Sequence, residues 1–286
     1  MRARTPTAFL LFSSSLLSLT AAAAAKPSRG GGQPIIIDTD LFGDVDDVGA
    51  LTIANVLHNC GLADIKGIAI NTHSKYGAPA ASAICTHFGN GDVPVAAIRP
   101  LTDETFFDDW EYVRGEYASK VAYNWPGTLT NASLAPTPVE LYRKVLAAAS
   151  NKSLHLISIG FLTNIADLLR SNADHISPLG GRELLAAKVS ELIIMGGRYP
   201  SGWEYNFGGT DPNSTAYVLD HWPRTVAVTF SGGELGGSIY SGQRPLMEQT
   251  PSVDSLTVSA YQWVSTFHVS HLNVAAGIIS KFRRLH

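Results

Sequence analysis

The hydrophobic positions of this chain come in short unbroken runs, separated by longer stretches of mixed polarity. Ile35 to Ile37 is the first run. Behind it, Val45 to His58 spaces Val48, Leu51, Ala54, Val56 and Leu57 among polar residues in a helical rhythm. Unbroken apolar runs mark strands buried on both faces, as in parallel sheets, whereas the helical rhythm marks segments that cover such a sheet. The alternation continues. Ile65 to Asn71 reads as a strand, Ala78 to Phe88 as a helix and Val93 to Ile98 as a strand. Thr137-Pro138-Val139-Glu140 is a capping box with proline at the first helical position and opens a helix to Ala149. Leu154 to Ile159 is a strand, Thr163 caps a helix to Ser171, and Glu191 to Met195 and Thr225 to Phe230 are further strands. Strand and helix alternating in this way predict an α/β fold: a doubly wound, mostly parallel sheet flanked by helices. The stretch from Pro100 to Pro136 breaks the rhythm and is rich in aromatics: Phe106, Phe107, Trp110, Tyr112, Tyr117, Tyr123 and Trp125. It is too long for a plain connector and reads as a functional loop or lid.

The first strand runs into an acidic turn. Asp38, Asp40, Asp44, Asp46 and Asp47 fall within ten residues, and no Lys or Arg occurs between Arg29 and Lys66. Two unit charges about 4 Å apart repel by roughly 4 kcal/mol at an effective dielectric near 20. Such a cluster at the end of a buried strand needs neutralising. A set of oxygen ligands points to Ca²⁺ or Mg²⁺ rather than zinc. Gly43 provides a sharp turn, and Asp46 and Asp47 suit the first turn of a helix, where the dipole and free N–H groups favour negative charge. Helix capping alone would account for one or two of these aspartates. In open α/β sheets, ligands bind beyond the carboxyl ends of the strands, where this turn lies.

The segment Asp38-Thr39-Asp40, a glycine turn and Asp46-Asp47 before a helix resembles the calcium-dependent nucleoside hydrolases of the inosine-uridine-preferring family, whose usual pattern is D-x-D-P-G-x-D-D-A. This chain is two residues longer between the second Asp and the Asp pair, as in a branch of that superfamily, and Asp44 in the insertion has no assigned role. The resemblance extends to Ser158-Ile159-Gly160-Phe161-Leu162-Thr163-Asn164, similar to the family's T-G-x-L-T-N-I-A. It also covers Met195-Gly196-Gly197 followed by Glu204-Tyr205-Asn206 and Asp211-Pro212, similar to M-G-G, E-x-N and D-P. It implies hydrolysis of the N-glycosidic bond of a nucleoside with Ca²⁺ as cofactor. Asp38, Asp40, Asp47 and the backbone carbonyl of Ile159 would reach the metal, and Asp40 would act as base. Asp46, Asn71, Glu204 and Asn206 would hold the sugar, and the aromatic loop would stack on the base. Asn71 also reads as a turn residue, Asn164 as a helix-start residue, and Asp211 is favoured as a cap. Ser231-Gly232-Gly233-Glu234 reads either as a further rim of the site or as a plain turn.

The remaining features bound the setting. Residues 1–25 read as a secretory signal peptide, with a basic start at Arg2 and Arg4, an apolar Phe9 to Leu19 and small Ala21 to Ala25, so a secreted protein is expected. Residues 26–33 form a glycine-rich lead-in, 34–267 one nucleoside-hydrolase-like domain and 268–286 an atypical tail. The sequons at Asn131 and Asn151 agree with export. A net charge of −3 with signs mixed gives no electrostatic case for nucleic acid, and beyond the leader no other apolar stretch is long enough for a bilayer. The expected partner is a small nucleoside, and a homo-oligomer is left open. Cys60 and Cys85 permit a disulfide in an exported chain, but read better as small buried hydrophobes. His58, His73 and His87 lack metal-ligand spacing. After Asp254 there is no Asp or Glu, so the family's last metal ligand, a late Asp, has no counterpart. The end therefore reads as truncated, and His268 or His271 comes into view for leaving-group chemistry only because it is nearby in sequence. That gap supports a second expectation, an exported protein of the same fold without turnover. A phosphohydrolase with Asp38 as nucleophile would need a Lys and a later Asp pair at strand ends, which the chain lacks.

Overall fold

The computed structural model describes residues 31–41, 45–102, 116–238 and 255–265. In chain order the elements are β1 (Gln33–Thr39), α1 (Asp46–Asn59), β2 (Ala63–Ile70), α2 (Gly77–His87), β3 (Val95–Ala97) and α3 (Glu116–Asn124). A 3₁₀ turn (Ala132–Leu134) then leads to α4 (Pro138–Ala148), β4 (Leu154–Ser158), α5 (Thr163–Arg170), α6 (Gly181–Lys188) and β5 (Val189–Met195). They are followed by α7 (Tyr205–Gly208), α8 (Pro212–His221), β6 (Ala227–Ser231), α9 (Gly233–Gly236) and α10 (Leu256–Ser265). The strands form one sheet in the order β3-β2-β1-β4-β5-β6. All five pairings are parallel, where the alternation had predicted a mostly parallel sheet.

Strand alternation sorts the core into two layers. Ile35 and Ile37 face one layer, with Val48 and Leu51 of α1, Ile84 of α2, Val121 of α3 and Ala260 of α10. Ile36 faces the other, with Tyr142 and Leu146 of α4, Ile165 and Leu168 of α5, Leu184 of α6 and Val218 of α8. The chain leaves β1 towards β2 on one side, and only later reaches β4 on the other. The gap between the carboxyl ends of β1 and β4 is thus the topological switch point at which ligands bind in doubly wound sheets.

Several expectations are corrected. The aromatic stretch is not simply a loop: α3 and the 3₁₀ turn lie within it, Tyr117 is buried in the core and Trp125 packs against it. Tyr123 is exposed and meets Tyr76 edge-on. Phe106, Phe107, Trp110 and Tyr112 lie outside the described residues, as do the leader, Gly43, Asp44 and the tail after 265. Thr163 is not a cap. It is the first residue of α5, and the capping position falls on Leu162, whose side chain makes no cap. At α4 half of the capping box forms: Thr137 Oγ1 accepts the Glu140 N–H at 3.3 Å, while Glu140 turns to Lys144 at 2.6 Å. Cys60 is exposed and Cys85 buried, and both are free, so neither the disulfide nor a buried Cys60 is found. No helix among the described residues is long and apolar enough to cross a membrane.

Candidate active site

The end of β1 places two aspartates at the switch point. Asp38 pairs in register with Ser158 of β4 and Ala69 of β2. Its side chain points into the α4/α5 layer and is completely buried. There it accepts hydrogen bonds from Asn71 Nδ2 on Oδ1 at 2.5 Å, from Asn164 Nδ2 on Oδ2 at 3.0 Å, and from the Tyr142 hydroxyl on Oδ2. All three donors are neutral. Burial pushes the Asp38 carboxyl up to about 7, against the downward pull of the Tyr142, Asn164 and Asn71 bonds. The Tyr142 phenol is itself held well above its usual range, first by burial and then by the Asp38 charge.

Thr39, one residue on, faces the opposite layer. Its hydroxyl donates to Asp47 Oδ1 at 2.5 Å and accepts from the Leu41 N–H at 3.2 Å, which ties the turn to the first turn of α1. Asp46 and Asp47 are both buried there. Asp38 and Asp47 therefore lie on opposite faces of β1, Asp47 being reached from the strand through Thr39, and Asp38 is already engaged by three donors. Asp40 lies beyond the last residue of β1, half-buried, against Gly160. A Cβ at Gly160 would fall 2.5 Å from Asp40 N and 2.7 Å from its Oδ1, so only glycine leaves room for this carboxylate. The Ile159 N–H donates to the Asp38 carbonyl at 2.8 Å, which draws the loop after β4 against β1. Asn71 strengthens this link by donating to the Phe161 carbonyl at 2.8 Å.

The ends of β5 and β6 supply the far side. Glu204 caps α7: its carboxylate accepts the N–H groups of Asn206 at 2.9 Å, Phe207 at 3.1 Å and Gly197 at 2.8 Å. Asn206 is buried and donates to the Met195 carbonyl at 3.3 Å. Tyr205, between them, packs on Phe161 with ring centres 5.8 Å apart, so this segment adjoins the Gly160 loop. Glu234 accepts the Tyr199 N–H at 3.0 Å, and burial followed by Glu234 and Glu204 raises the Tyr199 phenol. Asp211 caps α8 through the Ser214 N–H at 3.1 Å, a structural role as expected. Sequence reasoning missed Tyr142, Thr39 and the contact from Asn164 to Asp38.

The donor set at the strand ends suits a hard cation. Oxygen atoms dominate it, no cationic side chain bonds to Asp38, and Asn71 Oδ1 and Ser158 Oγ are buried without a hydrogen-bond partner among the described residues. Asp38 Oδ1, with one donor bound, also retains acceptor capacity. These features fit such an ion. Among the described residues no three carboxylate, imidazole or thiol groups are gathered into a ready cage. A cavity of about 750 Å³ opens elsewhere, lined by Arg170, Arg182 and Arg224 and by none of the candidate residues.

Fold and site together define a doubly wound α/β protein with a carboxylate-rich crevice at its switch point. Residues 35–270 match the model of the inosine-uridine preferring nucleoside hydrolases, and the chain belongs to that family. The fold is similar to the inosine-uridine preferring nucleoside hydrolase of Bacillus anthracis, with a TM-score of 0.62 at 18% identity over 88% of this chain and 82% of that one. It is also similar to the purine-preferring ribonucleoside hydrolase of Gardnerella vaginalis, with a TM-score of 0.59 at 17% identity over 88% and 80%. A third similar structure is the type III effector XopQ, solved in complex with adenosine diphosphate ribose. Its TM-score is 0.56 at 19% identity, over 72% of this chain and 57% of that one. Comparison with curated proteins found no match.

Proposed function

We propose that the protein hydrolyses the N-glycosidic bond of nucleosides, releasing ribose and free base. The observation that carries this reading is the seam where Asp40 meets Gly160 beside the buried Asp38 network, in a chain of nucleoside hydrolase family. Asp38, Asp40, Asp47 and the Ile159 carbonyl are the groups that would hold Ca²⁺, Asp38 through the acceptor capacity left on Oδ1. When bound, the ion would supply positive charge to acidify a water and to grip the ribose diol. Asp40 then takes the proton of the attacking water as it approaches the anomeric carbon. Asp46, Asn71, Glu204 and Asn206 hold the sugar hydroxyls, and Glu204 is pre-aligned by the three N–H groups it accepts. The transition state is oxocarbenium-like, and the carboxylates at the strand ends stabilise its charge.

A second reading is a secreted member of the fold that holds a ribosyl ligand without turnover. The absence of a three-carboxylate cage among the described residues favours it, as does the similarity to an effector solved with adenosine diphosphate ribose. Ribose release from inosine and uridine by purified protein separates the two. Hydrolysis predicts release that falls at least a hundredfold in Asp40→Asn while the melting temperature stays nearly unchanged. Tight binding of adenosine diphosphate ribose with no release from either nucleoside would favour the second reading.

A further inference from the structure

We propose that Tyr142 and Asn164 are positioning residues that act through Asp38 to set the β1–β4 seam, and thereby the grip on the ion. The proposal rests on the reading above, in which Asp40 and the Ile159 carbonyl face a bound cation.

Three separate elements converge on one buried carboxylate. Tyr142 comes from the middle of α4, Asn164 from the start of α5 and Asn71 from the end of β2. None of these contacts is local: Tyr142 and Asn164 lie 104 and 126 residues from Asp38 in sequence. Tyr142 is completely buried in the α4/α5 layer, where its hydroxyl donates to Asp38 and is also hydrogen-bonded to the Asn164 side chain, so the three groups form one buried polar cluster. The network continues to the reacting side. The Asp38 carbonyl accepts the Ile159 N–H, and Asn71 holds the Phe161 carbonyl while bonding to Asp38. The two bonds flank Gly160, the residue on which Asp40 rests. If the Asp38 carboxylate is released from α4 and α5, the strand end and the 159–161 loop lose their common anchor. The Asp40 carboxylate and the Ile159 carbonyl then shift relative to each other. Partners lying behind metal ligands typically change affinity by about 10–100-fold when removed.

The test measures Ca²⁺ affinity by calorimetry on the chelator-stripped full chain, with kcat and KM for inosine beside it. Tyr142→Phe keeps the ring in the core and removes only the hydroxyl. We expect affinity to fall about tenfold or more, with kcat reduced and KM changed less than about threefold. Asn164→Ala should act in the same direction. In an Asp38→Asn background, adding Tyr142→Phe should change affinity by less than about twofold, because the route through Asp38 is already cut. Tyr117→Phe, which removes a buried hydroxyl in the opposite core layer, should leave affinity unchanged. Unchanged Ca²⁺ affinity in both Tyr142→Phe and Asn164→Ala overturns the proposal, as does an equal loss with and without Asp38→Asn. If the wild-type protein takes up no Ca²⁺, the function proposed above fails first, and this inference falls with it.

Discussion

Gly160 and Asp40 are the pair on which the site turns at the residue scale. A methyl group at position 160 would press on the Asp40 backbone nitrogen, Oδ1 and Cβ at 2.5–2.8 Å. Such contacts cannot be relieved by rotating one flexible side chain. Gly160→Ala should therefore cut ribose release by at least tenfold while the far-UV circular dichroism stays unchanged; full activity in this variant would show that Asp40 has room to spare. The aspartates were legible because a charge-dense turn behind an apolar strand has few inexpensive explanations. Tyr142 and Asn164 were not. Within its helix a tyrosine reads as core, and an asparagine next to Thr163 reads as a helix start. Only the sheet order brings them to Asp38, and no local spacing encodes it.

At the scale of elements, most strands and helices were read from the apolar rhythm and end within a few residues of their expected bounds. The helices that escaped are informative. In α3 the buried positions Tyr117, Ala118 and Val121 leave too short a stripe to stand out, and α6 begins at Gly180-Gly181 with only Leu184 and Leu185 as large buried apolar residues. The N-cap of α4 is a local device that can be weighed by itself. Thr137→Ala should lower unfolding stability by about 1 kcal/mol in denaturant melts, with ribose release retained. The same helix carries Arg143, whose buried guanidinium bonds to Asp174 at 2.7 and 2.9 Å and to the Ser177 and Leu179 carbonyls at 3.1 Å. The Arg143 hydrogen bond holds the Asp174 carboxyl well below its ordinary value. A carboxyl held low in the fold stabilises it above the unfolded carboxyl range near pH 4, and that stability drains away as pH falls below it. Thermal melts from pH 6 down to pH 3 should therefore decline more steeply for the wild type than for Asp174→Asn. The amide can keep the turn bonds to Ile176 and Ser177 but carries no charge. Parallel decline of the two proteins would remove this ion pair from the account.

At the scale of the whole molecule, the strand order 3-2-1-4-5-6 explains why residues more than a hundred positions apart share one crevice. Alternation of strands and helices predicted the fold class, but it carries no information on which strands are neighbours. The site could be outlined from its motifs and not assembled from them. The order puts β1 beside β4, so that the acidic turn, the Gly160 loop and the Glu204 segment open towards the same end of the sheet. The central claim is that this end grips a hard cation and presents ribose to water. Its most direct test follows reducing-sugar release from inosine and uridine by the stripped protein, before Ca²⁺ is added, after it is added, and again with excess chelator. The account requires release that appears with Ca²⁺ and disappears with chelator. Release that proceeds at the same rate in chelator, or none at all from a folded protein saturated with Ca²⁺, would contradict it.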